Sequence, residues 1–111
     1  MKFLEEFAPL AGRSHLQVLA QTDSTNNRVK ELADAGAPSG AAVIADRQTA
    51  GRGRLGRSFS SPAGVGLYLS YLLRPTLPED RLMTVPALAA VAGARAVRCA
   101  AGLDCGIKWP N

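Results

Sequence analysis

Apolar and polar residues alternate through His15-Leu-Gln-Val-Leu-Ala-Gln-Thr22, and this period of two predicts a strand. The run Thr22-Asp-Ser-Thr-Asn-Asn27 that follows is short and polar, rich in residues that cap helices. The helix it opens would carry Val29, Leu32 and Ala33 on one face and stop at Gly36. Ala41-Ala-Val-Ile-Ala-Asp46 reads as a short apolar strand, and a long loop from Gln48 to about Gly64 comes next. Gly66-Leu-Tyr-Leu-Ser-Tyr-Leu-Leu73 is the strongest strand signal. Leu67, Leu69, Tyr71 and Leu73 share one face and Tyr68, Ser70 and Leu72 the other, so both faces are expected to be covered. Pro75 and Pro78 end it. A helix is expected from about Glu79 or Thr84 to Ala101, with Pro86 tolerable near its first turn and Gly102 as the stop. Cys105-Gly-Ile-Lys-Trp109 would begin another strand. With a helix ahead of the first strand, the order predicts an α/β or α+β class, taken as α+β with an α/β-type mixed sheet flanked by helices. No repeat, low-complexity tail or linker interrupts it, so the chain reads as one continuous piece.

Length and composition narrow the classes. A chain of 111 residues fits one small domain, and 47% hydrophobic residues, many of them Ala and Leu, are enough for a core. The charge-free stretch from Leu82 to Ala94 holds Pro86 and Gly93, so no membrane span is expected. Glu5 and Glu6 stand where a signal peptide needs apolar residues. Cys99 and Cys105 therefore read as free thiols in a reducing compartment, the cytoplasm. His15 is the lone histidine, and no Cys or His cluster has metal-ligand spacing. Neither a zinc site nor a Ser-His triad is expected, and no metal-ligating residue is assigned.

The net charge of +4 matters less than its placement. Arg47, Arg52, Arg54 and Arg57 fall within eleven residues with no acid among them, the last three in Gln48-Thr-Ala-Gly-Arg-Gly-Arg-Leu-Gly-Arg57. Glycines at 51, 53 and 56 let backbone N–H groups approach an anion, and Arg52 and Arg54 add charge-assisted donors. The loop lacks the Gly-Lys-Ser/Thr ending of a phosphate-binding P-loop and the third glycine of a dinucleotide fingerprint. A flexible basic surface loop is the plainer reading. Asp23-Ser-Thr-Asn26 could bind polar ligand edges at a helix N-terminus, or merely cap the helix. Lys108, in a strand that reads as buried beside the single Trp, would need a compensating anion, or else guards a sheet edge. His15, Cys99 and Cys105 read as structural.

Taken together, Asp23-Ser-Thr-Asn26, the loop 48–57 with Ser61-Pro62-Ala-Gly64, Leu67-Tyr-Leu-Ser70, Leu73-Arg-Pro75 and Lys108-Trp-Pro-Asn111 resemble the biotin–protein ligases in order and spacing, from about residue 19 to the last. The resemblance implies the biotin ligase catalytic fold, similar to class II aminoacyl-tRNA synthetases and here truncated. It implies condensation of biotin with ATP, Mg2+ accompanying the phosphates, to biotinyl-5′-adenylate. The biotinyl group then passes to a lysine of the biotin carboxyl-carrier domain of a carboxylase. The positions matching Ser24, Thr25, Asn26 and Gln48 would hold the biotin head. Those matching Gly51, Arg52, Gly53 and Arg54 would form a loop over biotin and adenylate, and Lys108 would reach the biotin carboxylate and the α-phosphate. Arg52, Arg54 and Lys108 are thus the implied catalytic cations. Phe59 stands where the family commonly has Trp, near the adenine.

The resemblance also implies that residues 1–111 are the N-terminal portion of the catalytic domain, with neither a winged-helix DNA-binding domain nor the small C-terminal β-barrel. An exposed sheet edge, poor solubility and no ligase activity of the isolated chain are then expected, with a homodimer left open and no nucleic-acid or membrane partner. A lipoate or octanoyl ligase or transferase of the same fold is the nearer alternative. A basic nucleic-acid-binding module would explain the arginines but not the glycines among them. A non-catalytic remnant of a split gene is a third.

Overall fold

The computed structural model describes residues 2–10 and 15–108. Where the sequence shows no linker, the structure separates two compact units, Met1–Arg74 and Pro75–Asn111. The boundary falls where Pro75 and Pro78 remove backbone donors, and residues 72–78 carry no regular structure.

The first unit is built on a three-stranded mixed sheet. Strand β1 (Leu16–Thr22) pairs in parallel with β2 (Ala42–Gln48), and β2 pairs antiparallel with β3 (Tyr68–Tyr71), giving the order β1-β2-β3. A parallel pair needs a crossover, and helix α2 (Thr25–Asp34) supplies it. Helix α2 packs on β2 and β3, while the short N-terminal helix α1 (Lys2–Phe7) packs on β1. Strand β2 is central, which explains its unbroken apolar run: Ala41, Val43 and Ala45 are fully buried and Ile44 nearly so. Alanines on β2 let α2 lie close, with Val29 buried between them. The helix stops where expected, Gly36 taking φ +87 and its N–H donating to Ala33 O at 3.1 Å.

In the second unit, the helix expected from about Glu79 or Thr84 takes the later start: α4 (Val85–Ala101) is capped at Thr84 and preceded by a separate short helix, α3 (Glu79–Leu82). Thr84 turns back on α3, its N–H and Oγ1 both donating to Arg81 O at 3.0 and 2.6 Å. Pro86, at the start of α4, has no N–H to continue the α3 ladder. Gly102 ends α4 with φ +66.

Two expectations need correction. The Gly66–Leu73 strand is regular only over 68–71, and its apolar face is open: Leu67, Leu69, Tyr71 and Leu73 are about half exposed. Among the described residues α2 packs on the other face, where Ser70 meets Thr25. The strand expected from Cys105 does not form over 105–108, and Lys108 is exposed rather than buried; Trp109, Pro110 and Asn111 lie outside the described residues. Instead Arg98 holds the chain after Gly102, bonding Cys105 O at 3.1 Å and pairing with Asp104 at 3.5 Å. Separately, the 23-residue span Glu79–Ala101 contains an 18-residue window of mean hydropathy 1.3, long and apolar enough to cross a bilayer by length and composition alone. Arg95 and Arg98, both exposed, lie within its last turns, where each would oppose insertion less than at the helix centre.

Candidate functional site

The turn after β1 is organised by one carboxylate. Asp23 accepts hydrogen bonds from Ser24 N at 2.6 Å, Asn27 Nδ2 at 3.1 Å and Thr22 Oγ1 at 3.1 Å, and pairs with Arg28 at 3.3 Å. These partners, the Asn27 amide foremost and then the Ser24 N–H, hold its carboxyl below the usual carboxylate range. Its carbonyl accepts Ala50 N at 2.7 Å, which ties the loop after β2 to this turn. Ser24, almost wholly buried, caps α2 by accepting Asn27 N at 3.4 Å.

The first helical residue, Thr25, has no intrahelical partner for its N–H. Gln48, the last residue of β2, supplies one: its Oε1 accepts Thr25 N at 2.8 Å and lies 3.1 Å from Thr25 Oγ1. Gln48 Nε2 donates to Ser61 Oγ at 3.0 Å, and Ser61 Oγ donates to Phe59 O at 3.1 Å. From β3, Ser70 Oγ meets Thr25 Oγ1 at 2.7 Å and contacts the Asn26 side chain. A helix start, a strand end and a neighbouring strand are thereby joined through side chains far apart in sequence.

Ser24, Thr25, Asn26, Gln48 and Ser70 line a cleft of about 270 Å³ with Arg52, Phe59, Leu67, Tyr68 and Leu69. The loop folds back beside it. Phe59 N donates to Gly51 O at 2.8 Å, and Gly51 lies so close to the returning strand that a Cβ would sit 2.5 Å from both Phe59 O and Ser61 Oγ. Beyond it, Gly53 N donates to Arg57 O at 2.7 Å, and the tip, Arg54–Gly56, turns through positive φ at Leu55 (+57) and Gly56 (+74). A larger hollow of about 490 Å³ lies between α1 and the 64–67 segment, lined by Phe3, Phe7 and Leu67 with Glu6 and Asp46, so its charged lining is acidic.

Of the residues singled out in the sequence, Ser24, Thr25, Asn26, Gln48, Arg52 and Phe59 line one cleft. Gly51 is buried behind it, Gly53 and Arg54 lie further out on the loop, and Lys108 belongs to the second unit. Ser61 and Ser70 were given no role by sequence reasoning. The available signal was polarity: Ser70 is a small hydroxyl within an otherwise apolar and aromatic strand, and it is buried.

Residues 18–111 match the family model described as the biotin/lipoate A/B protein ligase family. The chain belongs to that family. It is 43% identical over 97 residues to the "Bifunctional ligase/repressor BirA" of Bacillus spizizenii, covering 87% of this chain and 30% of the relative. It is 35% identical over 106 residues to the "Biotin--[acetyl-CoA-carboxylase] ligase" of Mycobacterium tuberculosis, covering 91% and 40%. Among solved structures, biotin protein ligase from Leishmania major in complex with biotinyl-5-AMP superposes with a TM-score of 0.75 at 29% identity, over 87% of this chain and 45% of that one. The chain thus spans less than half the length of each of these family members, and the α+β architecture expected from the sequence is that of the ligases.

Proposed function

We propose that this chain carries the biotin- and nucleotide-holding part of a biotin–protein ligase, which joins biotin to ATP and passes the biotinyl group to a lysine of a carboxylase's carrier domain. The observation that carries the reading is the side-chain network of Thr25, Gln48, Ser70 and Asn26, opening into a cleft beside a glycine–arginine loop. A neutral ureido ring needs short, fixed donors and acceptors with an apolar wall. Ser24, Thr25, Asn26 and Gln48 are the former, and Leu67 and Leu69 supply the latter.

Activation brings two anions together. The biotin carboxylate oxygen attacks the α-phosphorus, pyrophosphate leaves, and the carrier lysine amine later displaces AMP from the mixed anhydride. Arg52 at the cleft, with Arg54 on the same loop, would neutralise charge developing at the α-phosphoryl group, a role the family resemblance gives Lys108 as well. Phe59 offers a ring for the adenine to stack on. The loop 48–58 carries no carboxylate, and the described residues hold no cluster of three His, Cys, Asp or Glu. Magnesium would accompany the nucleotide's phosphates. Such a protein works in the cytoplasm, where ATP and the carrier are found.

Equilibrium dialysis with radiolabelled biotin tests the reading. Saturable binding that excess lipoate does not displace is expected, and Gln48→Ala should weaken it at least about tenfold by orphaning Thr25 N–H. Displacement by lipoate would assign the cleft to the other branch of the family. In the protein expressed from its full reading frame, Lys108→Ala should abolish biotin-dependent pyrophosphate release, and an unchanged rate would remove Lys108 from the mechanism.

A further inference from the structure

The network around Thr25 contains more oxygen contacts than hydroxyl protons. Thr25 Oγ1 lies 3.1 Å from Gln48 Oε1 and 2.7 Å from Ser70 Oγ, and Ser70 Oγ touches the terminal atom of Asn26 placed as Oδ1. Three contacts share two protons, one from each hydroxyl. Gln48 cannot supply the third by turning its amide, because its Oε1 is held by the Thr25 backbone N–H at 2.8 Å and its Nε2 donates to Ser61 Oγ. Ser61 Oγ in turn spends its proton on Phe59 O. Backbone groups at both ends therefore fix the direction of this half of the network.

The missing proton is available from one side chain. Exchanging the O and N of the Asn26 amide, which are nearly alike in electron count and shape, turns Nδ2 toward Ser70. We propose that Ser70 is a positioning residue in a one-way hydrogen-bond relay, Asn26 Nδ2–H to Ser70 Oγ–H to Thr25 Oγ1–H to Gln48 Oε1, that sets the polarity of the cleft. Every link then has its own proton. On these two cleft-lining residues the relay leaves unspent the Asn26 carbonyl, an acceptor, and the second N–H of Gln48 Nε2, a donor.

A cyclic urea presents the complement: N–H groups flanking a carbonyl on one planar edge. The inference rests on the biotin reading for that ligand, but the relay itself is a property of the protein alone. Asn26 is exposed and Ser70 buried, so the relay runs from the cleft mouth into the sheet. Ser70 acts at one remove, by holding Asn26 and Thr25 in their donor–acceptor sense.

Two measurements on the 111-residue chain test this. The side-chain amide of Asn26, assigned by 15N NMR without ligand, should show one hydrogen-bonded proton that loses its protection in Ser70→Ala and regains it in Ser70→Thr. In biotin titrations, Asn26→Asp keeps the shape but removes the donor, and should weaken binding about tenfold, as should Ser70→Ala. Asn26 is at the surface, so this variant tests the relay without threatening the fold. Wild-type affinity in Asn26→Asp, or an Asn26 amide indifferent to Ser70→Ala, overturns the relay while leaving the biotin reading intact. An Asn26 amide that responds to Ser70 in a chain that fails to bind biotin upholds the relay and overturns the reading.

Discussion

Two glycines of the loop look alike in sequence and differ in what surrounds them. A Cβ at Gly51 would meet Phe59 O and Ser61 Oγ at 2.5 Å, inside the distance real atoms allow, and both belong to the chain that holds Gln48. At Gly53 the nearest atom is Arg57 O at 3.6 Å, and the cap backbone has φ −98, open to any residue. Gly51→Ala should thus push the 59–61 segment away from Gln48, costing about 1–3 kcal/mol and most of the biotin affinity. Gly53→Ala should change stability by less than about 1 kcal/mol. Thermal melts and biotin titrations of the two side by side check this, and equal behaviour would mean that close approach is not why residue 51 is glycine. Asp23 gives a prediction of pH dependence. Its folded carboxyl titrates below the unfolded one, so it contributes stability above the ordinary carboxylate value of about 4. That contribution disappears as pH falls through the lowered folded value. Asp23→Asn should therefore flatten the acid limb of a stability–pH profile between about pH 5 and 2 and leave the slope above pH 6 unchanged. A wild-type-like acid limb in the variant would show that other carboxylates set it.

At the scale of elements, β1, α2 and β2 could be read from the sequence because each one's cause is local. Alternation, a run of capping residues with Gly36 at the far end, and an apolar stretch suffice for these three, and the structure places each within a residue or two. The polar half of the cleft was only partly legible: Ser24–Asn26 announced a helix start, but Gln48 was read as the start of the loop rather than the end of β2, and its site role came from the family resemblance. What failed depended on neighbours. The apolar positions 67–73 signal burial, yet what covers a face is decided by the rest of the fold; likewise Lys108 inside Cys105–Trp109 lacks a partner strand over its described part. The role of Arg74 was equally invisible. Its Nε and Nη2 donate to Ala37 O and Ala33 O, each at 2.8 Å, and its N–H to Ser39 Oγ at 3.1 Å. One side chain from beyond β3 thus satisfies carbonyls at and just past the C-terminus of α2, adding a cation at the negative end of the helix dipole. Arg74→Ala should cost about 1–2 kcal/mol in denaturant unfolding. Arg74→Lys should recover little, since an ammonium cannot span both carbonyls. In hydrogen exchange the loss should concentrate in amides 33–37 and spare β1, and uniform deprotection would show that Arg74 acts globally instead.

For the molecule as a whole, the dominant physical fact is apolar surface left in water. In the first unit Leu67, Leu69, Tyr71 and Leu73 stand about half exposed along one strand, and β3 pairs only with β2 among the described residues. In the second unit Leu88 is 62% exposed and Val91 and Val97 about 40%, along one helix. A strand edge beside an apolar face is a template for pairing with another chain, and patches of this kind are uncommon on stable monomers. The net charge of +4 gives some mutual repulsion, which salt screens. The 111-residue chain should accordingly self-associate at micromolar concentration, more strongly as salt rises, and bind a hydrophobic dye. Because the two patches lie on different units, they can be tested one at a time. Leu73→Lys sits outside the cleft and adds a charge beside the strand, so it should reduce association and leave biotin binding unchanged. Leu88→Lys does the same for the helix. Sedimentation velocity on the two variants and their combination measures each contribution. If association resides in the strand, Leu73→Lys alone restores the monomer. A wild-type chain that sediments as a monomer at all salt concentrations, and binds no dye, would mean that the exposed leucines are satisfied within the chain itself.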